Sequence, residues 1–180
     1  RGDVARRVII IAPRPTVLVV DGNPEMPMHG VSAARSDHRE RWQDVLRDAP
    51  IVIAVLGVAA RADLRPGDWR LPGWTEGLGP VDLLVSNPPY IEAATVPTLM
   101  PEVARHEPRL ALDGGPDGLD AYRAIAAGAP RLVAPGGRVL LEGGEGQAAD
   151  IARLFVASGF AAEAPWKDLS GIERVVSLKH

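Results

Sequence analysis

Val81-Asp82-Leu83-Leu84-Val85-Ser86 runs straight into Asn87-Pro88-Pro89-Tyr90, and this junction constrains the chain most. The apolar run through Val81, Leu83, Leu84 and Val85 predicts a buried strand covered on both faces. Two prolines cannot extend a strand ladder, and each has a fixed φ, so the strand ends there on a stiff corner. Asn87 then falls just past the carboxyl end of the strand. In open α/β sheets that rim is where ligands bind. A stiff rim that offers one carboxamide and free carbonyls suits a small planar polar group.

The bulk properties narrow the setting. With 180 residues, one domain with a sizeable core is expected. A net charge of -3 and a pI near 5.8 carry no nucleic-acid footprint. The absence of cysteine removes disulfides and thiolate metal sites, and fits a reducing cytoplasm. No apolar run approaches the ~18 residues of a membrane span. The chain starts Arg1-Gly2-Asp3, without a Met, as a fragment would. A cytoplasmic monomer is expected.

Along the chain, Val8 to Ala12 and Val17 to Val20 read as short strands, and Asp21-Gly22-Asn23-Pro24 as a turn. Asp37 to Arg47 suits a short polar helix, and Ile51 to Ala60 a strand or a buried helix end. Ala62 to Arg65 is a strand candidate, followed by a loop at Pro66-Gly67-Asp68-Trp69 and a turn-rich linker over Leu71 to Pro80. After Tyr90 comes a long polar loop to Pro116 with short helices. Tyr122, Ile125, Ala126 and Ala129 predict a helix near Ala121 to Leu132. Pro135-Gly136-Gly137 reads as a turn and Arg138 to Glu142 as a strand. Gln147 to Ser158 reads as an amphipathic helix with Ile151, Leu154 and Phe155 inward, closed by Gly159. Ala161 to Trp166 and Arg174 to Leu178 are close enough in sequence to pair antiparallel. Together this is α/β: a Rossmann-like, doubly wound sheet with a C-terminal antiparallel hairpin.

The chemistry offered by Asn87-Pro88-Pro89-Tyr90 is specific. A primary amide nitrogen is a poor nucleophile because its lone pair is delocalised into the carbonyl. The Asn87 side-chain oxygen and the Pro88 carbonyl can accept one hydrogen each from such an amide and aim its nitrogen. Both bonds strengthen as the nitrogen becomes positive in the transition state. Tyr90 can pack against the held group or face a cation. With 17 prolines in the chain, Pro-Pro alone means little; its place after a buried strand is what counts.

Other motifs are weaker. The four histidines lack ligand spacing, so no metal is expected. Gly143-Gly144-Glu145-Gly146 lacks the Lys and Ser/Thr of a phosphate loop and reads as a strand-to-helix connection. Asp113, Asp117 and Asp120 read as a capped, solvated loop rather than a metal site. Ser170 and His180 form no triad pattern.

A family resemblance rests on several stretches together. Asp82 to Tyr90, Pro101-Glu102-Val103, Glu107-Pro108-Arg109, Leu110-Ala111-Leu112-Asp113-Gly114-Gly115 and Asp117-Gly118-Leu119-Asp120 resemble the release-factor glutamine N5-methyltransferases. So do Pro135-Gly136-Gly137, Leu140-Leu141-Glu142, Gly146-Gln147 and Lys167-Asp168-Leu169-Ser170-Gly171. The resemblance covers about residues 56 to 180. Asn-Pro-Pro-Tyr alone is shared with adenine-N6 DNA methyltransferases; the Glu107 to Gly115 run narrows the choice, and the acidic pI argues against nucleic acid.

The resemblance implies a class I methyltransferase sheet and methyl transfer from S-adenosyl-L-methionine to the glutamine of the Gly-Gly-Gln loop of peptide-chain release factors. Asn87, Pro88, Pro89 and Tyr90 would bind that glutamine, with Asn87 and Pro88 catalytic. Trp69, Asp68 and Asn87 would contact the cofactor, Trp69 as an aromatic wall. Two family features are missing from the sequence: a glycine-rich loop after the first strand, and an acidic residue after the second at the family spacing. Asp21 is the one candidate for that acid, 47 positions ahead of Asp68 (21 to 68). Residues 1–55 therefore read as a divergent or out-of-frame segment, and 56–180 as the C-terminal part of a catalytic domain. A catalytically inactive remnant is the alternative.

Overall fold

The computed structural model describes residues 7–12, 16–21 and 62–180. Among these, eight strands form one mixed sheet: β1 (Arg7–Ala12), β2 (Thr16–Asp21), β3 (Ala62–Pro66), β4 (Val81–Ser86), β5 (Val133–Glu142), β6 (Ala161–Ala162), β7 (Trp166–Lys167) and β8 (Glu173–Lys179). The order is β3-β2-β1-β4-β5-β8-β6, with β7 also paired to β8. β1, β4 and β5 are mutually parallel, and β8 closes antiparallel on β5. The expected α/β sheet with an antiparallel C-terminal pair is therefore present. The expected helix at 37–47, the turn at 21–24 and the segment 51–60 lie outside the described residues, apart from Asp21 at the end of β2.

Parallel neighbours need a crossover, and the β4–β5 crossover carries α3 (Asp120–Leu132). It follows two short helices in the connecting loop, α1 (Pro101–His106) and α2 (Arg109–Leu112). Tyr122, Ile125, Ala126 and Ala129 of α3 are all buried, as their spacing predicts. Gly128 lies on the same helix because Trp74 packs there; a β-carbon would stand 2.5 Å from its ring. α4 (Ala148–Ala157) buries Ile151 and Phe155 fully, while Leu154 packs partly against the core. Ser158 caps it, and Gly159 takes φ +96°, which only glycine adopts without strain. Phe160 then turns back edge-on to Phe155, 5.7 Å between centroids.

α3 and α4 pack on each other, so they share one face of the sheet. Leu84 of β4 faces this core and is fully buried, whereas Leu83 and Val85, on the opposite face, are only partly covered. The even burial expected of β4 is corrected to that extent.

Two further expectations change, and the structure sets one strand direction that the sequence reading left open. Pro135-Gly136-Gly137 is not a free turn but an irregular stretch inside β5. Pairing jumps from Val81 opposite Val133 to Leu83 opposite Arg138, so four β5 residues bulge against one of β4. Gly136 at φ +81° permits the bulge, and the backbone of His180 fastens it from both sides. The strand expected over 161–166 is broken into β6 and β7, with Pro165 between them unable to donate to the ladder. Finally, β2 runs antiparallel to both its neighbours, β1 and β3. Only three residues, Pro13 to Pro15, join β1 to β2, far too few for a parallel crossover.

Candidate active site

β3, β4 and β5 point the same way, so residues that follow them share one rim of the sheet. Asn87 leaves β4 there, Asp68 and Trp69 follow β3, and the Gly143–Gly146 turn follows β5. A cleft of about 400 Å³ opens on this rim. It is lined by Asp68, Trp69 and Arg70 on one side, Pro89 at the β4 end, and Arg109, Leu110, Asp113 and Gly115 from the loop beyond. Its volume falls within the range of small-molecule sites.

The corner itself is rigid. Pro88 and Pro89 are buried, Tyr90 is half-buried and Asn87 is exposed. The chain after the prolines is stitched to the 109–115 loop: Ile91 N–H donates to Leu112 O (3.0 Å), Gly114 N–H to Ile91 O (2.8 Å), and Ala93 N–H to Gly115 O (2.8 Å). Gly114 lies so close that a β-carbon would come within 2.8 Å of the Pro89 carbonyl. Asp113 holds the loop in shape by accepting from Gly115 N–H (3.0 Å) and from Arg109 Nε (3.0 Å). The Gly115 N–H, and then the Arg109 guanidinium, keep its carboxyl below the usual carboxylate range.

Next to it, Arg123 bridges Asp117 and Asp120. That guanidinium lowers the Asp117 carboxyl to about 2, helped by the Leu119 N–H. The three aspartates are thus engaged by arginines and backbone N–H groups. No cluster of potential metal ligands occurs among the described residues.

Beneath the rim, Tyr122 is fully buried and donates its hydroxyl to Glu142 O (2.6 Å) at the end of β5. Burial, then the nearby Tyr90 and Glu142, push its phenol well above the usual range, so it acts as a fixed donor.

Of the residues singled out from sequence, Asp68, Trp69 and Pro89 meet in the cleft. Asn87, Pro88 and Tyr90 do not line it but flank Pro89 in the chain. Trp69 is buried to 8 % exposure while still forming part of the cleft wall. Asp68 faces Arg70, accepting from its Nε (2.8 Å) and its backbone N–H (2.9 Å). Gly114, Gly118, Tyr122 and Gln147 are not among the site residues expected from the sequence. The signal for the glycines was their place in Asp113-Gly114-Gly115 and Asp117-Gly118, which only the resemblance brought forward.

For S-adenosyl-L-methionine, the two halves of the rim differ. On the β3–β4 side Trp69 offers a flat wall, which suits an adenine ring, and Asn87 an exposed carboxamide just outside the cleft lining. Among the described residues, the β1–β2 side places no acidic residue at this rim. Asp21 is paired with Arg7, one step before Val8, which is level with Leu83. Asn87 is therefore five residues further along, roughly 16 Å away at ~3.3 Å per residue. The reversal of β2 carries Asp21 to the opposite rim, which corrects its candidacy as a cofactor ligand. Of Pro13, Arg14 and Pro15, only Arg14 has a backbone N–H to offer.

No family model matches the chain. It is 50% identical over 119 residues to a release factor glutamine methyltransferase of Rhodospirillum rubrum, covering 66% of this chain and 35% of that protein. The corresponding protein of Cereibacter sphaeroides is 50% identical over 126 residues (70% and 44%), and that of Gloeobacter violaceus 44% over 141 (75% and 48%). A solved protein-(glutamine-N5) methyltransferase (release factor-specific) from Alicyclobacillus acidocaldarius is 34% identical, with a TM-score of 0.36, over 56% of this chain and 49% of that one. The chain spans between about a third and a half of the curated relatives it matches. The expected resemblance is borne out: over roughly two thirds of its length, this chain is similar to the release factor glutamine methyltransferases at about half of the aligned positions.

Proposed function

We propose that this chain carries the glutamine-gripping part of a protein-(glutamine-N5) methyltransferase that acts on the Gly-Gly-Gln loop of peptide-chain release factors, as a monomer in the cytoplasm, with residues 56–180 bearing the activity. The observation that supports it most is the Asn87–Tyr90 corner, stiffened by two buried prolines and opening beside a cleft that Pro89 shares with Trp69.

The chain's own groups do the positioning. Asn87 Oδ1 and the Pro88 carbonyl accept the two amide hydrogens of the substrate glutamine and point its nitrogen into the cleft. Those bonds tighten as positive charge develops on nitrogen, so they favour the transition state over the bound amide. Tyr90 backs the held carboxamide. Trp69 and Asp68 would hold S-adenosyl-L-methionine, which supplies the methyl group when bound. No general base is required before attack, because the methylated nitrogen can lose its proton to water. Rate then comes mainly from orientation.

The test is transfer of labelled methyl to a release factor. The chain is expected to methylate it, and Asn87→Ala to lose the activity while cofactor binding falls less. Near-normal turnover by Asn87→Ala would overturn the reading. The reversed β2 favours a second reading, an inactive remnant that keeps the amide grip. Titration calorimetry separates the two: micromolar cofactor binding supports the enzyme, and no heat at millimolar cofactor supports the remnant.

A further inference from the structure

The corner between Ser86 and Tyr90 is poorly provided with anchors of its own, because neither proline has an N–H to donate. Its direction is fixed from outside. On the β4 side, Ser86 is paired with Ile11 and Leu141. On the other side stands the peptide unit between Tyr90 and Ile91, and both its polar atoms are taken. Its N–H goes to Leu112 O at 3.0 Å, and its carbonyl accepts from Gln147 Nε2 at 3.1 Å.

Gln147 comes from another part of the chain, at the start of α4. Its Oε1 accepts from Gly144 N–H at 2.9 Å, so one carboxamide joins the diproline corner to the turn after β5. Only one orientation of that amide satisfies both partners, since a flip would set oxygen against the Tyr90 carbonyl and NH₂ against the Gly144 N–H. Its own backbone is held by the helix start: Gln147 N–H donates to Gly144 O, and its carbonyl accepts from Ile151 N–H. Space for the contact comes from glycine. A β-carbon on Gly118 would lie 2.4 Å from Tyr90 O and 2.6 Å from Gln147 Nε2, and one on Gly144 would lie 2.7 Å from Gln147 Oε1.

We propose that Gln147 is a positioning residue for the substrate amide: by fixing the Tyr90–Ile91 peptide unit it sets the direction of the Asn87 and Pro88 acceptors. This rests on the proposed function and adds a residue to it. Gln147 touches neither reactant; it acts through the corner.

Two variants test it. Gln147→Met keeps length and removes both bonds. Gln147→Glu keeps the acceptor for Gly144 N–H and, when ionised, replaces the donor to Tyr90 O by a carboxylate oxygen, so that one contact turns repulsive while the other is kept. In both, a Gly-Gly-Gln peptide is expected to bind about tenfold more weakly, the size of one lost hydrogen bond to a half-buried carbonyl. Affinity for S-adenosyl-L-methionine should change less than about twofold, a split that a general loss of structure would not produce. Hydrogen–deuterium exchange over residues 87–93 should speed up without a matching change in α3. Unchanged peptide affinity and exchange in Gln147→Glu would overturn the proposal, as would parallel loss of both ligands and of exchange protection throughout. The exchange readout needs no ligand. Failure of the wild-type chain to bind the peptide would therefore count against the function, while exchange still judges the clamp.

Discussion

A side-chain carbon built on Gly114 would stand 2.8 Å from the carbonyl oxygen of Pro89. The same carbon would meet Gly118 Cα and O at 2.9 Å, so every close neighbour is backbone and none can rotate away. Gly114→Ala must therefore move either the 112–118 loop or the diproline corner. Overpacking of this kind costs about 1–3 kcal/mol. We expect stability in urea to fall by that amount and methyl transfer to fall by at least about tenfold, since small misplacements of a positioning site are costly to rate. Full activity despite lost stability would show that the corner tolerates the shift.

Trp69 has two tasks, one in the core and one on the cleft wall. Trp69→Ala should therefore destabilise by about 3–5 kcal/mol through the cavity it leaves. Trp69→Phe is the informative variant, because it keeps an aromatic face and most of the volume. It is expected to weaken cofactor binding a few-fold, about 1 kcal/mol or less, with peptide affinity unchanged. Calorimetry with each ligand separately decides this, and equal losses for both ligands would remove Trp69 from the cofactor side.

Asp117 supplies a pH dependence. Arg123 holds its carboxyl at about 2, below the 3.8 of an unperturbed aspartate. A lowered folded-state value means that its stabilising contribution is complete above roughly pH 4 and is lost as pH falls towards 2. The pair is exposed, so screening keeps the effect small. In Asp117→Asn, melting temperature is expected to be lower at pH 6 and to fall less steeply than wild type between pH 4 and 2. Identical acid limbs in the two proteins would show that the pair contributes nothing.

Much of this was legible because physics writes it locally. An apolar run ending in two prolines can scarcely be anything but a strand that stops, and β4 ends at Ser86 as expected. The burial of Tyr122, Ile125, Ala126 and Ala129 follows from their helical period. Strand direction is another matter. Val17 to Val20 is apolar whichever way it runs, so composition could not orient β2. A cue was present in the connection: the few residues between the two runs are too short for a crossover and long enough for a hairpin. The bulge in β5 was misread because Pro-Gly-Gly signals a break, and the pairing partners on either side of it are remote in sequence. Gln147 was invisible as a clamp for the same reason, lying 57 positions from the carbonyl it holds.

The hairpin also bears on the order in which the sheet assembles. β1 finds β2 by closing three residues, whereas β1 finds β4 only after a segment of nearly seventy has come round. By the logarithmic scaling of closure entropy, the longer search costs about 3 kcal/mol more. The meander is thus local and cheap to close, and the parallel seam that sets the cleft rim is the costlier, non-local pairing.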